Sequence, residues 1–475
     1  MKTENLRRES GSQRDSTEYE EYAEVSSIYL PEDMEQERKL QADNLMEAVV
    51  SVKNMETAMR RVRQNNGAPG TDGKTVAETI EWMKVHFAEV QAELMGGYYH
   101  PTAVRRREIP KPDGGVRKLG IPTAEDRIVQ QAIGQILVPL YEPQFSDNSY
   151  GYRPGRSGQQ AITKVKDYAE QGYEWAIVLD LSKYFDTLNH DRLIRELRRT
   201  IKDEMVMKVI KKFLKAGVME NGVVTETTEG SPQGGPLSPL LSGIYLNEFD
   251  WEYQRRGVPE IRYADDIVLL AKSRRAAERI LEGAIQFLEG RLKLKVNREK
   301  SKIVSLARNY GEFKFLGFSM GKSKDTFHIY AHAKSKKKFK DKLRKITSRK
   351  RSGKFKDICS ELRRVVIGWL NYYAIAEMKK WVNEINAWLR RRIRMLFWKR
   401  WKKPKTRLRK LIHLGTPRKY AYQAANTRRG YWFVSRTGAI TRALSNEKLV
   451  SWGYIDVAVT YESKHSKPVQ LSFVF

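Results

Sequence analysis

"EIRYADDIVLLAK", residues 260–272, sets two adjacent carboxylates between short apolar segments. Apolar residues alternate with polar Arg262 before the two acids, and the continuous apolar run Ile267–Leu270 follows them. This pattern predicts two strands joined by a tight turn, with Asp265 and Asp266 at its tip. Aspartate is also an ordinary turn former, because its side chain hydrogen-bonds its own backbone. Other segments therefore decide whether the pair carries chemistry.

The composition of the 475-residue chain predicts a globular protein of about two to four domains. Apolar residues make up 40% of the chain and aromatic residues 10%, enough for a sizeable core. No segment approaches the run of about 18 apolar residues that crosses a bilayer, and the N-terminus is charged, so we expect a cytoplasmic protein without a membrane partner. The single cysteine, Cys359, excludes disulfides and Cys-rich zinc modules.

Positive charge is concentrated in one part of the chain. The formal net charge is +31, and residues 334–410 hold 29 Lys and Arg against 5 Asp and Glu, a net charge of +24. This distribution predicts a polyanionic partner such as nucleic acid. The first 40 residues instead hold 6 basic and 11 acidic side chains with few core-forming residues, and we interpret them as a flexible acidic leader.

A glycine-rich segment follows a predicted helix near the N-terminus. Residues 41–66 carry apolar side chains at helical spacing, and "APGTDGKT", residues 68–75, resembles a relaxed phosphate-binding loop. A P-loop requires an apolar strand entering it and a first glycine that is missing here. Nucleotide hydrolysis at this loop is therefore disfavoured.

A second glycine turn lies between two predicted strands. In "RRREIPKPDGGVRKLGIPTAEDRIVQQAI", residues 105–133, strand segments flank the turn Asp113–Gly115, and Thr123 caps the helix that follows. Lys111 and Arg117 stand on either side of the turn. In isolation they are a solvated pair. Opposite a carboxylate cluster they can hold a triphosphate, because Arg offers a planar fork and Lys a point charge.

A third carboxylate follows a predicted buried strand. In "EWAIVLDLSKYFDTLNHDRL", residues 174–193, the apolar run from Trp175 to Leu179 ends on Asp180. A continuous run of this kind is typical of a strand covered on both faces. Charged groups rarely occupy such positions unless they are paired or bind a metal. Asp180 is therefore a stronger candidate for chemistry than an acid in a turn.

The three aspartates together predict polymerase chemistry. One acid at a strand end and two at a hairpin tip form the minimal oxygen ligand set for two hard divalent cations about 3.5–4 Å apart. Such an ion pair activates a 3′-hydroxyl and stabilises a leaving pyrophosphate in one in-line displacement. The glycine- and proline-rich loop in "TEGSPQGGPLSPLLSGIYLNEFD", residues 228–250, lets backbone approach a ligand closely near Gln233.

The ordered series of segments resembles a reverse transcriptase of the group II intron type, from about residue 41 to near the C-terminus. "YADD", residues 263–266, corresponds to the family's catalytic box, and Asp180 corresponds to its third metal ligand. "SPQGGPLSP" matches the loop that touches the incoming nucleotide, and "FKFLGF" resembles the strand that supports the primer end. The resemblance implies an α+β fold: a right-hand polymerase with fingers and an antiparallel palm sheet, then a helical thumb and maturase domain and a small C-terminal DNA-binding domain.

The resemblance also implies ligands and residue roles. It implies two Mg²⁺ ions, with Mn²⁺ as an alternative, on Asp180, Asp265 and Asp266, and it implies dNTPs, an RNA template, a DNA primer and target, and group II intron RNA as partners. Phe185 matches the bulky aromatic residue that clashes with a ribose 2′-hydroxyl, and Lys300 matches a basic residue near the leaving pyrophosphate. The nucleotide-binding set is Lys111, Arg117, Phe185, Gln233 and Lys300.

Each of these positions has an ordinary alternative. Phe185 can pack between strand and helix, Gln233 can hydrogen-bond the backbone of its own loop, and Lys300 can be solvated or face nucleic acid beside its basic neighbours.

The basic half of the chain has apolar positions at helical spacing. This spacing predicts about three amphipathic helices in residues 334–410, whose apolar faces pack together and whose basic faces are solvated or contact phosphates. For most of the five Trp between residues 369 and 401 we favour a core position over base stacking. "GWLNYY", residues 368–373, resembles the maturase segment of the family. The candidate nucleic-acid contacts are Lys336, Lys337, Lys338, Arg344, Arg390, Arg391, Arg392, Lys402 and Lys403.

We predict four parts along the chain. Residues 1–40 are the leader, 41–322 the fingers and palm, 323–410 the thumb and maturase domain, and 411–475 a small domain that the resemblance associates with DNA target. No Cys-rich nuclease follows, which points to the endonuclease-lacking, group IIC-like members. A bacterial location with the nucleoid or a ribonucleoprotein is implied.

The function predicted is RNA-directed DNA synthesis for a mobile group II intron, combined with maturase activity in splicing and retrohoming. The alternatives are an RNA-binding maturase that only promotes splicing, an RNA-templated RNA polymerase, and a domesticated reverse transcriptase that serves phage defence or another host task. Phe185 counts against the RNA polymerase. The polymerase hypothesis depends on whether Asp180 meets the hairpin tip in space, because separate locations would undo it.

Overall fold

Three small sheets carry the sequence motifs. The structure is a computed structural model that describes residues 44–110, 115–220, 223–225, 229–230, 234–308 and 311–466. Within these residues the strands are β1 (Val104–Pro110), β2 (Val116–Ile121), β3 (Trp175–Leu179), β4 (Val218–Glu220), β5 (Val223–Thr225), β6 (Glu260–Tyr263), β7 (Asp266–Ala271), β8 (Lys302–Ser305), β9 (Phe318–Ser323) and β10 (Thr326–Ala331). Their orders are β2-β1-β4-β5, β6-β7-β3-β8 and β10-β9.

The aspartate hairpin predicted from the sequence is present. β6 and β7 pair antiparallel, with Glu260 opposite Leu269 and Tyr263 opposite Asp266. β3 has the predicted bounds and pairs antiparallel with β7 on one side, while β8 lies on its other side. Ile177 and Leu179 of β3 belong to a core that also includes alternate residues of β7 and the neighbouring helices, and Ala176, on the other face of β3, is buried as well. A central strand needs apolar side chains on both faces, which explains the continuous run.

The first sheet contains the predicted strands around the glycine turn. β1 and β2 pair antiparallel from Arg105 opposite Ile121 to Pro110 opposite Val116. β1 also pairs in parallel with β4 at Val104 and Val218, and β4 pairs antiparallel with β5. Asp113 and Gly114 of the turn lie outside the described residues.

Helices cover much of the described first part of the chain, including the segments predicted to be helical at residues 41–66 and after Thr123. Their bounds are α1 (Leu45–Val50), α2 (Val52–Asn65), α3 (Val76–Val85), α4 (Phe87–Gly96), α5 (Ala124–Tyr141), α6 (Gly158–Glu170), α7 (His190–Thr200), α8 (Glu204–Lys215), α9 (Ser238–Arg255) and α10 (Arg274–Gln286). The helix predicted over residues 41–66 is interrupted at Ser51, which separates α1 from α2. Thr75, the last residue of the P-loop-like segment, forms a capping box with Glu78 at the start of α3.

Helices make up most of the chain after β10. They are α11 (Ala333–Ile346), α12 (Phe355–Tyr373), α13 (Lys379–Arg400), α14 (Pro404–His413), α15 (Arg418–Ala425), α16 (Tyr431–Val434), α17 (Gly438–Ala443), α18 (Asn446–Ser451) and α19 (Val457–His465). The prediction of about three amphipathic helices in the basic half is confirmed by α11, α12 and α13. Trp369, Trp398 and Trp401 are buried and the other two tryptophans are half-buried, which confirms the core interpretation.

The described residues form two compact units. One unit takes in the described residues up to Lys164 together with Trp175–Ile303, and the other takes in Val165–Glu174 with the described residues from Val304 onward. The four-part division along the chain stays a prediction. Within the described ranges, no helix combines the length and the apolar character that crossing a bilayer requires.

Candidate active site

Strand register brings Asp180 to the aspartate hairpin. In the antiparallel pairing of β3 and β7, Leu179 stands opposite Ile267, so the next pair in the same register is Asp180 and Asp266. Residues directly opposite each other on adjacent strands share a face and have Cβ atoms about 4.5–5.5 Å apart. Asp265 precedes Asp266 in the turn. The three predicted acids therefore lie at one end of one sheet.

The turn that carries Asp265 has a constrained backbone. Because Tyr263 pairs with Asp266, only Ala264 and Asp265 remain as loop residues. Ala264 has a φ of +57°, in the left-handed region that residues with a Cβ rarely adopt. Gly151 packs against it so closely that a Cβ at Gly151 would stand 2.2 Å from the Ala264 nitrogen. Neighbouring backbone thus fixes the turn.

The charges of the paired acids affect the pKa values of two buried tyrosines. Burial raises the pKa of Tyr184, and the negative charge of Asp265 adds to that rise. Burial also raises the pKa of Tyr263, with the charge of Asp266 as the second cause. Tyr184 follows Asp180 by four residues and donates a hydrogen bond to the Ser242 carbonyl oxygen at 2.8 Å. Asp265 therefore lies within electrostatic reach of the segment that begins with Asp180.

The segment that carries Lys300 contacts the backbone of Asp180. The Asn297 N–H donates to the Asp180 carbonyl oxygen at 2.8 Å, and the Asp180 N–H donates to Ser301 Oγ at 3.1 Å. Lys300, between these partners, has an exposed side chain. The structure thus brings a lysine next to the aspartate end of the sheet. Sequence reasoning missed the roles of Asn297 and Ser301, and only chain proximity to Lys300 hinted at them.

Phe185 lies on a short 3₁₀ turn, Tyr184–Asp186, which begins four residues after Asp180. Its ring is partly buried and meets the Tyr184 ring edge-on at 5.3 Å between centroids. Gly230 packs on this turn, because a Cβ there would stand 2.8 Å from the Phe185 carbonyl oxygen. The buried His190 ring hydrogen-bonds the Gly230 carbonyl oxygen through Nε2 at 2.6 Å. Neither Gly230 nor His190 was predicted.

Of the remaining residues predicted to bind nucleotide, only Arg117 lies among the described residues. Arg117 lies on β2 with its backbone opposite Ile109. Lys111 and Gln233 lie outside the described residues. Gly234, which follows Gln233, approaches β2 so closely that a Cβ would stand 2.4 Å from the Gly120 carbonyl oxygen. Gly234, the residue after Gln233, therefore lies against the strand that carries Arg117.

A buried ionic cluster lies beneath the hairpin. The guanidinium of Arg262, 1% exposed, donates from Nε to both carboxylate oxygens of Asp250, at 2.7 and 2.9 Å. Glu260, also on β6, is buried as well, and burial together with the charge of Asp250 raises the pKa of its carboxyl group well above the ordinary range. The alternation around Arg262 predicts strand structure correctly, but it gives no sign that Glu260 and Arg262 are both buried. Two charged residues within one short strand were the available signal.

Carboxylate oxygens are the ligands that Mg²⁺ and Mn²⁺ prefer, so the donor chemistry at this end of the sheet fits divalent cations. Among the described residues, no three Asp, Glu, His or Cys side chains already stand together as a metal site. What the structure provides at these aspartates is the strand register, which brings Asp180 and Asp266 to the same end of the sheet.

The segment "FKFLGF" forms a tight turn before β9. Phe315 and Phe318 exchange two backbone hydrogen bonds, at 3.1 and 2.8 Å. Leu316 and Gly317 between them both have positive φ, as two-residue hairpin turns of type I′ require. Tyr372, in the "GWLNYY" segment, donates its hydroxyl to the Leu316 carbonyl oxygen at 3.0 Å. Two of the family-like motifs therefore contact each other.

Comparisons with known proteins agree with this geometry. Residues 109–320 match the model for reverse transcriptase (RNA-dependent DNA polymerase), and residues 336–413 match the maturase-specific domain of group II introns. Protein YkfC of Escherichia coli (strain K12) is 36% identical over 305 residues, which cover 56% of this chain and 80% of that protein. The chain belongs to the reverse transcriptase and maturase family of group II introns.

The matches to other relatives cover a smaller share of those proteins. The group II intron-encoded protein LtrA of Lactococcus lactis subsp. cremoris is 38% identical over 218 residues, 44% of this chain and 34% of LtrA. A solved telomerase from Candida albicans is 12% identical, with a TM-score of 0.41, and covers 78% of this chain and 65% of that one. This chain thus matches about a third of LtrA, and the family assignment depends on the sequence matches.

Membership settles several expectations. The chain is an RNA-directed DNA polymerase by family, and polymerases of this family depend on divalent metal. The α+β prediction is confirmed, because an antiparallel sheet carries the aspartates and the later part of the chain is helical. Binding of intron RNA and other nucleic acid belongs to the same family of reverse transcriptases and maturases.

The predicted nucleic-acid contacts of the maturase region fall into two groups. Lys337, Arg344, Lys402 and Lys403 are exposed. Arg390, Arg391 and Arg392 instead donate hydrogen bonds within the protein, to Asp456 Oδ2, to the Trp432 carbonyl oxygen, and to Thr347. The exposed lysines of the first group are available to phosphates, while Arg344 also pairs with Asp341 on its own helix. The second group ties helices of the maturase region together.

Lys336 and Lys338 are partly buried. The Lys336 ammonium lies over the Trp381 ring, 5.5 Å from its centroid, and burial lowers the pKa of this lysine. On the same helix, Lys340 lies over Trp388 at 5.3 Å. The half-buried tryptophans therefore pair with cations of α11, which explains why their faces are not fully covered by apolar groups.

Proposed function

We propose that Asp180, Asp265 and Asp266 form the polymerase centre and bind two Mg²⁺ ions, or Mn²⁺ in their place, through carboxylate oxygens. The observation that carries this proposal is the β3–β7 register, whose last pair is Leu179 opposite Ile267, so that Asp180 directly follows and Asp266 directly precedes that pair at the same end of the sheet. When bound, such an ion pair activates a primer 3′-hydroxyl and stabilises the leaving pyrophosphate during in-line displacement.

The other residues supply positioning, because phosphoryl transfer asks a protein mainly for orientation and charge stabilisation. We assign the triphosphate of the incoming dNTP to Lys111 and Arg117, and the approach of its base and sugar to the loop of Gln233. Lys300 neutralises the departing pyrophosphate. The exposed side chain of Lys300 and the contacts of its segment with the Asp180 backbone support that assignment.

Primer extension on an RNA template tests the polymerase centre. Wild type is compared with the double variant Asp265→Ala, Asp266→Ala, and with Asp186→Ala, which removes an exposed carboxylate from the turn near Asp180. We expect the double variant to lose at least about 1000-fold in rate, because charge stabilisation worth several kcal/mol is lost. Asp186→Ala should extend primers normally. Equal incorporation by wild type and the double variant would remove the proposal.

Phe185 selects deoxyribose by steric exclusion of a 2′-hydroxyl. Two contacts support this role: the partly buried Phe185 ring meets the Tyr184 ring edge-on, and Gly230 packs on the backbone of the same turn. In Phe185→Ala, the preference for dNTP over rNTP should fall while extension with dNTP persists. An unchanged ratio would assign Phe185 to packing, and a wild-type preference for rNTP would favour the RNA-templated RNA polymerase.

The maturase region binds group II intron RNA and promotes splicing and retrohoming, and residues 411–475 bind DNA target. The net charge of +24 in residues 334–410 and the exposed lysines Lys337, Lys402 and Lys403 support this part. Splicing assays with Asp265→Ala, Asp266→Ala separate the two functions. Splicing without DNA synthesis would show that both coexist in the wild type, and splicing by a wild type that lacks DNA synthesis would favour the splicing-only maturase.

The genomic setting separates a mobile-intron protein from a domesticated, defence-type reverse transcriptase. We expect intron RNA structure in the DNA that flanks the coding sequence, and a cytoplasmic ribonucleoprotein associated with the nucleoid. Flanking DNA without such structure would favour the domesticated alternative, although the polymerase chemistry at Asp180 would be the same.

A further inference from the structure

A buried arginine holds the turn that carries the paired aspartates. Arg262 Nη1 donates to the Ala264 carbonyl oxygen at 3.1 Å, inside the hairpin. Ala264 has left-handed backbone, which a residue with a Cβ adopts only when its surroundings determine it. A hydrogen bond to its carbonyl from a side chain that is itself 1% exposed is such a determinant.

The guanidinium is anchored on α9. Its Nε lies 2.7 and 2.9 Å from the two oxygens of Asp250, which is fully buried. A guanidinium is a rigid planar fork, so contact with a carboxylate fixes the direction of its other N–H groups. Arg262 therefore links the turn at Ala264 to α9, so that the position of the turn depends on the position of α9.

The main chain of Arg262 is fixed by a second element. Its N–H donates to the Asn148 carbonyl oxygen at 3.0 Å, and its carbonyl oxygen accepts from the Tyr150 N–H at 2.8 Å. Gly151, next along this loop, touches the Ala264 nitrogen closely enough to exclude any Cβ. The turn is thus held from the side chain of Arg262 and from the loop that pairs with its backbone.

We propose that Arg262 is a positioning residue of the polymerase centre. Anchored on Asp250, it fixes Ala264 and thereby sets where Asp265 and Asp266 stand relative to Asp180. The inference rests on the function proposed for the three aspartates, and it adds a residue outside their ligand set. Residues that orient metal ligands typically change metal affinity or activity by about 10- to 100-fold when they are replaced.

The test is metal binding by the full-length protein. Arg262→Lys keeps a buried cation but loses the fork, so it cannot serve Asp250 and Ala264 together. We expect Mn²⁺ affinity, measured by titration with electron paramagnetic resonance, to fall by about tenfold. The Mg²⁺ concentration for half-maximal primer extension should rise by a similar factor, while the rate at saturating Mg²⁺ changes less.

Arg192→Lys is the matched control. Arg192 also forms an ion pair with α9, at Glu248, two residues before Asp250, and its other described hydrogen bond goes to the Arg291 carbonyl oxygen. Its replacement should leave Mn²⁺ affinity and the Mg²⁺ midpoint at wild-type values. Equal shifts in both variants would mean that any weakened ion pair on α9 has this effect, and would overturn the positioning role of Arg262.

A second variant covers the case in which Arg262→Lys does not fold. Gly151→Ala leaves the Arg262–Asp250 pair intact and disturbs the same turn, because the new Cβ would stand 2.2 Å from the Ala264 nitrogen. Weakened Mn²⁺ binding in this variant would support the dependence of the aspartates on the turn. Wild-type Mn²⁺ binding by a folded Gly151→Ala protein would overturn it.

Asp265→Asn in the same assays distinguishes failure of this inference from failure of the proposed function. If Asp265→Asn binds Mn²⁺ and extends primers like wild type, the assignment of the polymerase centre fails. If Asp265→Asn loses both while Arg262→Lys matches wild type in both, the centre stands and only the positioning role is wrong.

Discussion

The aspartate end of the sheet β6-β7-β3-β8 and the helices of the maturase region differ in how they accommodate charged side chains. Beneath the hairpin, Arg262 and Asp250 form a pair that is essentially removed from solvent. In the maturase region, lysines such as Lys337 and Lys402 remain exposed above an aromatic core that includes Trp398. Buried ionic groups must be paired with defined geometry, whereas exposed cations need only be present. The first region therefore depends on geometry and the second on charge density.

The substitution Asp180→Asn tests this comparison most directly. The backbone groups of Asp180, not its carboxylate, bond to Asn297 and Ser301, so the substitution should leave the fold intact. We expect primer extension to fall by at least about 1000-fold, since one of three metal-binding carboxylates is lost, while RNA binding and the unfolding temperature stay near wild type. Retained extension would contradict the assignment.

Trp398→Ala tests whether the maturase aromatics are core. Trp398 is 1% exposed, so its removal should lower the free energy of unfolding by about 3–5 kcal/mol. Trp432, 37% exposed and stacked under Arg391 at 3.8 Å, provides the control. Trp432→Ala should cost less than about 1 kcal/mol. Denaturant unfolding followed by fluorescence measures both, and similar losses would contradict the core interpretation.

Removal of exposed charge should act on RNA affinity rather than stability. In the triple variant Lys337→Gln, Lys402→Gln, Lys403→Gln, we expect weaker RNA binding and a slope of log affinity against log salt that is about 2–3 units shallower. The control replaces the exposed Lys53, Lys84 and Lys202 in the same way. Equal losses in both triple variants would mean that binding follows total charge instead of this surface.

The smallest effect concerns a carboxyl group at the start of α5. Burial, aided by the charges of Asp126 and Glu93, raises the pKa of Glu125 from 4.5 to about 7. The folded state therefore holds this proton more tightly than the unfolded state, so stability falls as pH rises from about 4.5 to about 7. Glu125→Gln should raise the unfolding temperature at pH 8 but not at pH 4. The exposed Glu89→Gln should do neither.

Much of the fold could be predicted because its signals are local. The apolar run before Asp180 gave β3 with the observed bounds, and the alternation and turn in residues 260–272 gave β6 and β7. Helical spacing gave α11 to α13, since a strip of apolar residues at that spacing has to face a core. The candidate aspartates came from the same segments, because the acids stand where strands end.

Other features escaped prediction because they join distant parts of the chain. Nothing in the sequence indicated that the polar Arg262 is buried. Its partner Asp250 lies on another element, and the exposure of Arg262 depends on which elements pack against it. Nor did the sequence indicate that the side chains of residues 390–392 donate hydrogen bonds to Asp456, Trp432 and Thr347, which are more than 40 positions away. A hydrogen-bond partner at that separation leaves no periodic trace.

The sequence by itself determined the two chemical characters of this protein: three carboxylates at strand ends, and a dense basic region with an aromatic core. These follow from residue type and spacing, which act over one or two turns of chain. Only the tertiary structure decided that Leu179 stands opposite Ile267, which brings Asp180 and Asp266 to the same end of one sheet, and that Arg262 is buried on Asp250. The alternation within one strand determines which face is buried, but it does not specify which distant strand becomes its neighbour or which buried charges pair, because both depend on the packing of segments far apart in the chain.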